Sequence, residues 1–315
     1  MHPALSVIVF TTASGAGYGL LVWYGLLSAL SGAPGDRVVA LIALPLALAL
    51  VTVGLLSSTF HLGRPERAWR AFSQWRTSWL SREGICSFVT YGPAGLLLLA
   101  WIVSPAPGAA AVVLGLITAV ASLVTIYCTA MIYASLKTIH QWCNAYVVPN
   151  YMALGLYSGA LLLATILHLT GHGSQGVDSV VLVAGLAALV AKLGYWRFIA
   201  TTRHPSSPES ATGLGNIGKV RLFEAPHTEE NYLMREMGFT IARRHADKLR
   251  RLSLLALFAA PLILVLIAIL LGGVAATVAL VVAVVLAAAG VLVERWLFFA
   301  EARHVVTLFY GARAA

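Results

Sequence analysis

The residues best suited to chemistry lie in a polar stretch between two apolar segments of the chain. His61 ends the apolar segment before it, Glu83 opens the one after it, and Arg64 and Trp79 lie between them. An imidazole titrates close to neutral pH, and a carboxylate at the edge of an apolar phase can exchange protons with water. Together they suit an acceptor that gains protons as it gains electrons, such as a quinone.

Helix-end signals predict that the two groups lie at the same depth. Gly63 and Pro65 end the first of the two helices. Ser81 is expected to cap the second helix, which places Glu83 in its first turn, where the positive helix end favours a carboxylate. His140, at the end of a later apolar segment, is a weaker candidate at the same level. The alternative is a cluster that only caps helices at the level of the lipid headgroups, and these residues are compatible with both.

The composition indicates which elements hold these residues. Of 315 residues, 59% are hydrophobic and 10% are charged, whereas a soluble domain has about 25% charged residues. A membrane-spanning helix needs about 20 apolar residues, and eight such runs lie at about 4–30, 38–61, 84–103, 109–136, 149–170, 177–199, 252–271 and 273–295. We therefore expect an all-α, polytopic membrane protein with eight transmembrane helices that form one domain over residues 1–315. The first run is too long for a signal-peptide core and lacks a basic leader, so we expect it to remain as a span.

The basic residues are distributed asymmetrically. With eight spans, all of the 21 lysines and arginines except Arg37 fall on the face that also carries both termini. The positive-inside rule then places that face and both termini in the cytoplasm. The same rule accounts for the net charge of +9, so we expect no nucleic-acid partner.

Residues 200–251 form the largest segment predicted outside the membrane. They begin with a loop, Thr202 to Gly218, and continue as an amphipathic helix from Thr228 to Arg251, which Thr228 and Asn231 could cap. Such a helix could lie on the membrane surface or form a docking surface for a soluble partner, and the pattern fits both.

Several apparent motifs do not predict a cofactor site. The G-x-G-x-x-G pattern at 213–218 lacks the preceding strand that a dinucleotide site requires. Cys86, Cys128 and Cys143 lie far apart in sequence and form no C-x-x-C pair, which argues against an iron–sulfur or zinc site. No histidine lies deep in an apolar run, so we expect no haem.

Two other classes of function stay open at this point. A haem-bearing cytochrome b subunit would need two histidines that face each other between helices. A secondary transporter would need ionisable groups near the middle of the membrane, and none of the eight runs has one at its centre. The Gly15 and Gly19 pair in the first run predicts close helix packing.

The residues around His61 and Glu83 carry a family resemblance. F-H-L-G-R-P at 60–65 and S-W-L-S-R-E at 78–83 resemble the anchor subunits of dimethyl sulfoxide reductases, and the similarity extends over essentially the whole chain. The resemblance implies that His61 and Glu83 serve a quinone site and that the anchor itself holds no haem.

The resemblance also implies the partners. Anchors of this family lie beneath a four-cluster, ferredoxin-like iron–sulfur subunit and a molybdopterin catalytic subunit, which carry those cofactors. The anchor binds only quinone (ubiquinone or menaquinone) and lipids, and it does no chemistry on the enzyme's substrate. We expect the quinone to lie close to Arg64 and Trp79 as well, with His140 as a further candidate.

One branch of the family fits the predicted orientation. In dimethyl sulfoxide reductases the catalytic subunits and the His/Glu loop face the periplasm, whereas charge predicts a cytoplasmic loop here. The opening residues 2–8 and the stretch 137–142 also resemble the anchors of membrane-bound sulfite dehydrogenases. That resemblance implies a bacterial cytoplasmic-membrane protein that passes electrons from cytoplasmic partners to quinone as sulfite is oxidised to sulfate. An anchor that oxidises menaquinol for dimethyl sulfoxide reduction is the alternative.

Overall fold

The computed structural model describes residues 3–30, 37–60, 62–224, 229, 231–237 and 241–314, with the main chain alone at 241–244. Within these ranges eight helices are long and apolar enough to cross a membrane. The first six are α1 Leu5–Leu30, α2 Arg37–Thr59, α3 Trp79–Val103, α4 Ala109–Ala134, α5 Val147–Leu169 and α6 Gln175–Thr201. The expected all-α membrane protein with eight spans is thereby confirmed.

Short helices precede the last two spans. They are α7 Pro208–Thr212 and α8 Tyr232–Met237, followed by α9 Ile241–Ser253, a π-helical turn Leu254–Ala259, α10 Ala260–Leu271 and α11 Gly273–Ala300. The seventh span, His245–Leu271, joins most of α9 to α10 through the π turn, and α11 is the eighth. The π turn has a local cause. Pro261 has no N–H to donate to the carbonyl of Leu257, and the Tyr157 hydroxyl donates to that carbonyl instead, at 3.2 Å.

The first helix lies at the centre of the bundle, where α1 packs against α2, α4, α5 and α11. Its contact with α5 is backbone against backbone, because a methyl group on Gly19 would lie only 1.9 Å from the Gly155 carbonyl oxygen. The indole N–H of Trp23 donates to the Leu156 carbonyl across the same interface, at 2.8 Å. Close packing is therefore confirmed at Gly19, whereas a methyl group on Gly15 would meet no atom within 4 Å.

Contacts between connections show that one end of the bundle carries the charged segments, and we call this end the charged face. The Ser57 hydroxyl at the end of α2 donates to the Ser6 carbonyl at the start of α1, at 2.9 Å. The α4–α5 connection joins the segment after α11 through a β-bridge between Ile139 and His304. By the alternating course of the eight spans, the start of α1 and the segment after α11 belong to this face, and its cytoplasmic location stays a prediction.

Local structure on the charged face differs from the expectation in two ways. Helix α3 begins at Trp79 with Ser78 at its N-cap position, so the prediction of an N-cap at Ser81 is wrong, and Glu83 lies in the second turn rather than the first. The loop from Thr202 to Gly218 contains α7, which starts with a capping box on Ser207.

Two parts of the helix expected from Thr228 to Arg251 are described, α8 and α9, and residues 238–240 between them lie outside the described part. Asn231 caps α8 as expected, since its side-chain oxygen accepts from the Met234 N–H at 2.9 Å. Thr228 is outside the described residues.

Candidate functional site

The carboxylate of Glu83 is buried where α3 meets α4. Only 4% of the residue is exposed, and the Thr129 hydroxyl on α4 donates to its Oε1 at 2.5 Å. The Ser87 hydroxyl donates to the main-chain carbonyl of Glu83, at 2.8 Å. A buried carboxylate that accepts a short hydrogen bond is held in one orientation, so Glu83 is a fixed acid–base group near the charged face.

Polar side chains continue from Glu83 along the contact between α3 and α4. Cys86 and Cys128 place their sulfur atoms 3.9 Å apart, and the hydroxyls of Thr90 and Thr125 are 3.1 Å apart. These pairs are distant in sequence and meet because the two helices are antiparallel neighbours. The fold thus places Cys86 and Cys128 next to each other, although they are far apart in the sequence.

The connection between α2 and α3 folds over the Glu83 end of α3. It contains a 3₁₀ helix, Pro65–Gln74, and Phe72 from that helix lies against Gly84, beside Glu83. Arg82 holds the connection in place by donating to the carbonyls of Trp75 at 2.9 Å and Arg76 at 2.8 Å.

The predicted residues of this connection have different surroundings. Trp79 lies one helical turn before Glu83, its ring 4.2 Å from the Arg82 guanidinium and edge-on to Tyr127 of α4 at 5.8 Å. Arg64 is exposed immediately before the 3₁₀ helix. His61 lies outside the described residues, so its position relative to Glu83 stays a prediction.

His140 has partners of its own in the α4–α5 connection. Its Nε2 lies 2.8 Å from the Thr202 hydroxyl, and its ring stacks on Phe198 at 5.2 Å. Partial burial, with a smaller contribution from His204, lowers the pKa of His140 below its usual value. None of these described contacts joins it directly to Glu83.

His140 instead lines an open cleft of about 360 Å³ on the charged face, which we call the surface cleft. Gln141, Arg250 and Glu301 also line it. Arg250 and Glu301 form an ion pair at 2.7 Å. Burial raises the pKa of Glu301, and the Arg250 guanidinium opposes that rise. The surface cleft therefore contains groups that can take up and release protons in water.

An ionic group inside the bundle was not anticipated from the sequence. Lys192 of α6 and Glu294 of α11 form an ion pair, and the Arg295 Nε lies 3.5 Å from the second carboxylate oxygen of Glu294. The exposed fractions are 1% for Lys192, 0% for Glu294 and 3% for Arg295. We call these three residues the buried ion cluster.

The sequence did carry a signal for this cluster. Lys192 lies in an otherwise apolar stretch, only about one helical turn past the middle of α6. Charges inside a membrane are costly and usually have partners. The sequence counted Lys192 and Arg295 only toward the basic side of the membrane, whereas the structure buries both side chains inside the bundle. The argument against a transporter from missing buried charges therefore loses weight.

A small cavity separates the buried ion cluster from Glu83. It lies between α1, α4, α5 and α11, and its lining includes Gly15, Tyr18, Thr129, Tyr151 and Arg295. Its volume is about 20 Å³, which is enough for roughly one water molecule. The buried hydroxyls of Tyr18 and Tyr151 make no hydrogen bond to a described residue. We call this space the inner cavity.

Comparison with known proteins shows similarity over the full chain. The sequence profile of a family described as DMSO reductase anchor subunit (DmsC) matches residues 1–312. A sulfite dehydrogenase subunit of Allochromatium vinosum is 36% identical over 337 aligned residues, which cover 100% of each chain. The anaerobic dimethyl sulfoxide reductase chain YnfH of Escherichia coli strain K12 is 27% identical over 118 residues, covering 38% of this chain and 41% of that relative.

Proposed function

This chain belongs to the family of dimethyl sulfoxide reductase anchor subunits, and from that premise we propose that it exchanges electrons between quinone and a membrane-bound oxidoreductase. The resemblance carried by residues 60–65 and 78–83 is confirmed by the family match. The described residues contain eight helices that can span a membrane, and with the family match this makes the chain a multi-pass membrane protein. The proposal adds the quinone site, the partner subunits and the direction of electron flow.

The observation that carries the proposal is the buried carboxylate of Glu83 beneath the folded α2–α3 connection. A quinone ring between this connection and α3 would have Glu83, Trp79 and Arg64 as neighbours, and the family resemblance assigns His61 to the same site. Glu83 exchanges protons with one quinone oxygen, and His61 donates a hydrogen bond to the other. The isoprenoid tail extends along the lipid-facing side of α3, where Leu80 and Phe88 are exposed.

The α2–α3 connection also offers a surface for the iron–sulfur partner. Its 3₁₀ helix exposes 66% of Trp69 and 44% of Phe72, and 52% of Trp75 is exposed just beyond it. Arg67 and Arg70 lie among them. Tryptophan and arginine are enriched at the energetic centres of protein interfaces, so we propose that a four-cluster iron–sulfur subunit with an acidic surface binds here. Residues 200–251 extend the docking surface, and a molybdopterin subunit binds beyond it.

Sulfite is the proposed substrate of the catalytic partner. Sulfite and water give sulfate, two protons and two electrons, and one quinone takes up two electrons and two protons to give one quinol. Two observations favour this direction: the full-length relative belongs to a sulfite dehydrogenase, and the charge distribution predicts a cytoplasmic docking face. A dimethyl sulfoxide reductase anchor that oxidises menaquinol is the second candidate, favoured by the name of the matching family.

The test uses His61→Ala and Glu83→Gln in the complete complex. Each variant should lower substrate-to-quinone electron transfer by about 10² to 10⁴-fold, the usual range for loss of a proton-transfer group. Electron transfer from substrate to a soluble artificial acceptor should stay unchanged, because that reaction does not use the anchor. Asp178→Asn is the matched control, since Asp178 is also a buried carboxylate but pairs with His168 at the opposite end of the bundle. Near-normal quinone reduction in both site variants would place the quinone elsewhere.

A further inference from the structure

The buried ion cluster has no part in holding quinone at the Glu83 site. Its members come from α6 and α11, whereas Glu83 is on α3. A buried ion pair contributes little net stability compared with an apolar pair of the same volume. The cluster therefore calls for an explanation other than holding the two helices together.

The buried ion cluster faces the inner cavity on one side. Arg295 lines that cavity together with Thr129, and the Thr129 hydroxyl is the group that donates to Glu83. The cavity has polar residues around it and room for roughly one water molecule. One water there would connect the buried ion cluster to the hydrogen bond that holds Glu83.

On its other side the buried ion cluster contacts Tyr195, which lies toward the surface cleft. The Lys192 ammonium lies 4.3 Å from the centre of the Tyr195 ring. The hydroxyl of Tyr195 donates to the carbonyl of Gln141 at 3.1 Å, and Gln141 lines the surface cleft beside Glu301. Tyr195 therefore lies between the buried ion cluster and the surface cleft, in contact with a residue of each.

We propose that these groups form the path by which protons reach Glu83 from the charged face. The path starts at Glu301 in the surface cleft, runs on water past Tyr195 to the Lys192–Glu294 pair, and continues past Arg295 on the water of the inner cavity to Thr129. Arg295 cannot lose its proton in a protein, so it is a positioning residue that holds Glu294. This inference rests on the proposed function, in which Glu83 gives protons to quinone.

The proton balance follows from the quinone reaction. Each quinol formed takes two electrons from the iron–sulfur partner and two protons through Glu83. Every proton that Glu83 gives up is replaced by one from the inner cavity. The buried ion cluster then takes up a replacement proton from the surface cleft. The charged and titratable groups around Glu294 are Lys192 and Arg295 in direct contact, with Tyr151 under the Arg295 guanidinium and Tyr195 beside Lys192.

The experiment measures electron transfer in the complete complex. Glu294→Gln should slow substrate-to-quinone transfer at least about tenfold, with a larger solvent deuterium isotope effect. The apparent KM for quinone and the rate with an artificial acceptor should stay unchanged. Asp178→Asn, the control defined above, should behave as the wild type.

A triple variant separates proton transfer from packing. Lys192→Met, Glu294→Leu and Arg295→Met together replace the buried ion cluster by apolar side chains, so that no buried charge is left without a partner. If the cluster only packs helices, the triple variant should transfer electrons to quinone at the wild-type rate, and that result would overturn the inference. A proton path predicts that the triple variant assembles but remains slow.

A third pair of variants tests the cavity without touching any charge. Gly15 lines the inner cavity, and a methyl group there would meet no atom within 4 Å. Gly15→Ala should displace water and slow quinone reduction, whereas Gly15→Ser supplies a hydroxyl in nearly the same volume and should retain more of the rate. If the charge variants fail to assemble, the two Gly15 variants test the proton path by themselves. Wild-type rates of quinone reduction in both would refute the path.

The outcomes distinguish the two proposals. Wild-type rates in every path variant, with Glu83→Gln inactive, mean that protons reach Glu83 by another route, and only this inference fails. A wild-type rate in Glu83→Gln itself refutes the quinone site and the path with it.

Discussion

Substitution of Gly19 by alanine is the sharpest structural test of the bundle, because its effect follows from one distance. The new methyl group would lie 1.9 Å from the Gly155 carbonyl oxygen and 3.2 Å from the Gly159 Cα atom. An ordinary contact is about 3.5 Å, so α1 and α5 must separate by roughly 1.5 Å. Forced overpacking of this kind costs about 1–3 kcal/mol.

A second loss follows from the same movement. The indole N–H of Trp23 donates to the Leu156 carbonyl at 2.8 Å on the same interface, and separation of the helices would stretch this bond beyond hydrogen-bonding distance. Its loss adds about 0.5–1.5 kcal/mol. Together these losses decrease the free energy of unfolding of Gly19→Ala by about 1.5–4.5 kcal/mol, and the higher helix propensity of alanine offsets up to about 1 kcal/mol of that decrease.

The matched control is Gly15→Ala, one helical turn earlier on α1. No atom lies within 4 Å of its new methyl group, and alanine favours a helix over glycine by up to about 1 kcal/mol. The two variants and the wild type would be purified in the same detergent and unfolded by titration with sodium dodecyl sulfate, with tryptophan fluorescence as the signal. Equal midpoints for Gly19→Ala and Gly15→Ala would refute the backbone contact between α1 and α5.

Three other predictions concern topology, cofactor content and the cysteine pair. Reporter fusions at Ala315 should be fluorescent with a cytoplasmic fluorescent protein and inactive with alkaline phosphatase, because the basic face is expected inside; the reverse pattern would contradict the orientation and the sulfite proposal. A reduced-minus-oxidised spectrum of the complex should lack a b-type α-band, and one haem per complex would contradict this. Mild oxidation should cross-link Cys86 to Cys128, because their sulfur atoms are 3.9 Å apart. Peptide mass spectrometry should detect this link in the unsubstituted chain and not in Cys86→Ser. Absence of the link in the unsubstituted chain would argue against the α3–α4 register.

Much of the architecture could be predicted because it depends on local composition. The eight apolar runs are each long enough to cross a membrane, and the structure has eight helices in the same places. The first residue of a helix was harder to predict, as the expected N-cap at Ser81 shows. The helix begins two residues earlier, at Trp79, and Ser78 takes the N-cap position, since several residues of this stretch could serve as a cap.

The candidate site was only partly predictable. Glu83 and Trp79 could be chosen because they lie in one short stretch with a recognisable motif. Thr129 could not be chosen, because nothing in an ordinary apolar helix marks the one hydroxyl that meets Glu83. The position of His61 remains a prediction.

The sequence by itself determined what depends on neighbouring residues: eight spans, one strongly basic face, and a family motif around Glu83. Tertiary structure alone decided the pairings between distant residues, because they depend on which helices pack together and at what rotation. Lys192 meets Glu294 inside the bundle, although the charge pattern counted the lysine only toward the basic side of the membrane. A charge within an apolar helix is tolerated only where a partner helix presents the opposite charge at the same depth, and the packing of α6 and α11 supplies that partner.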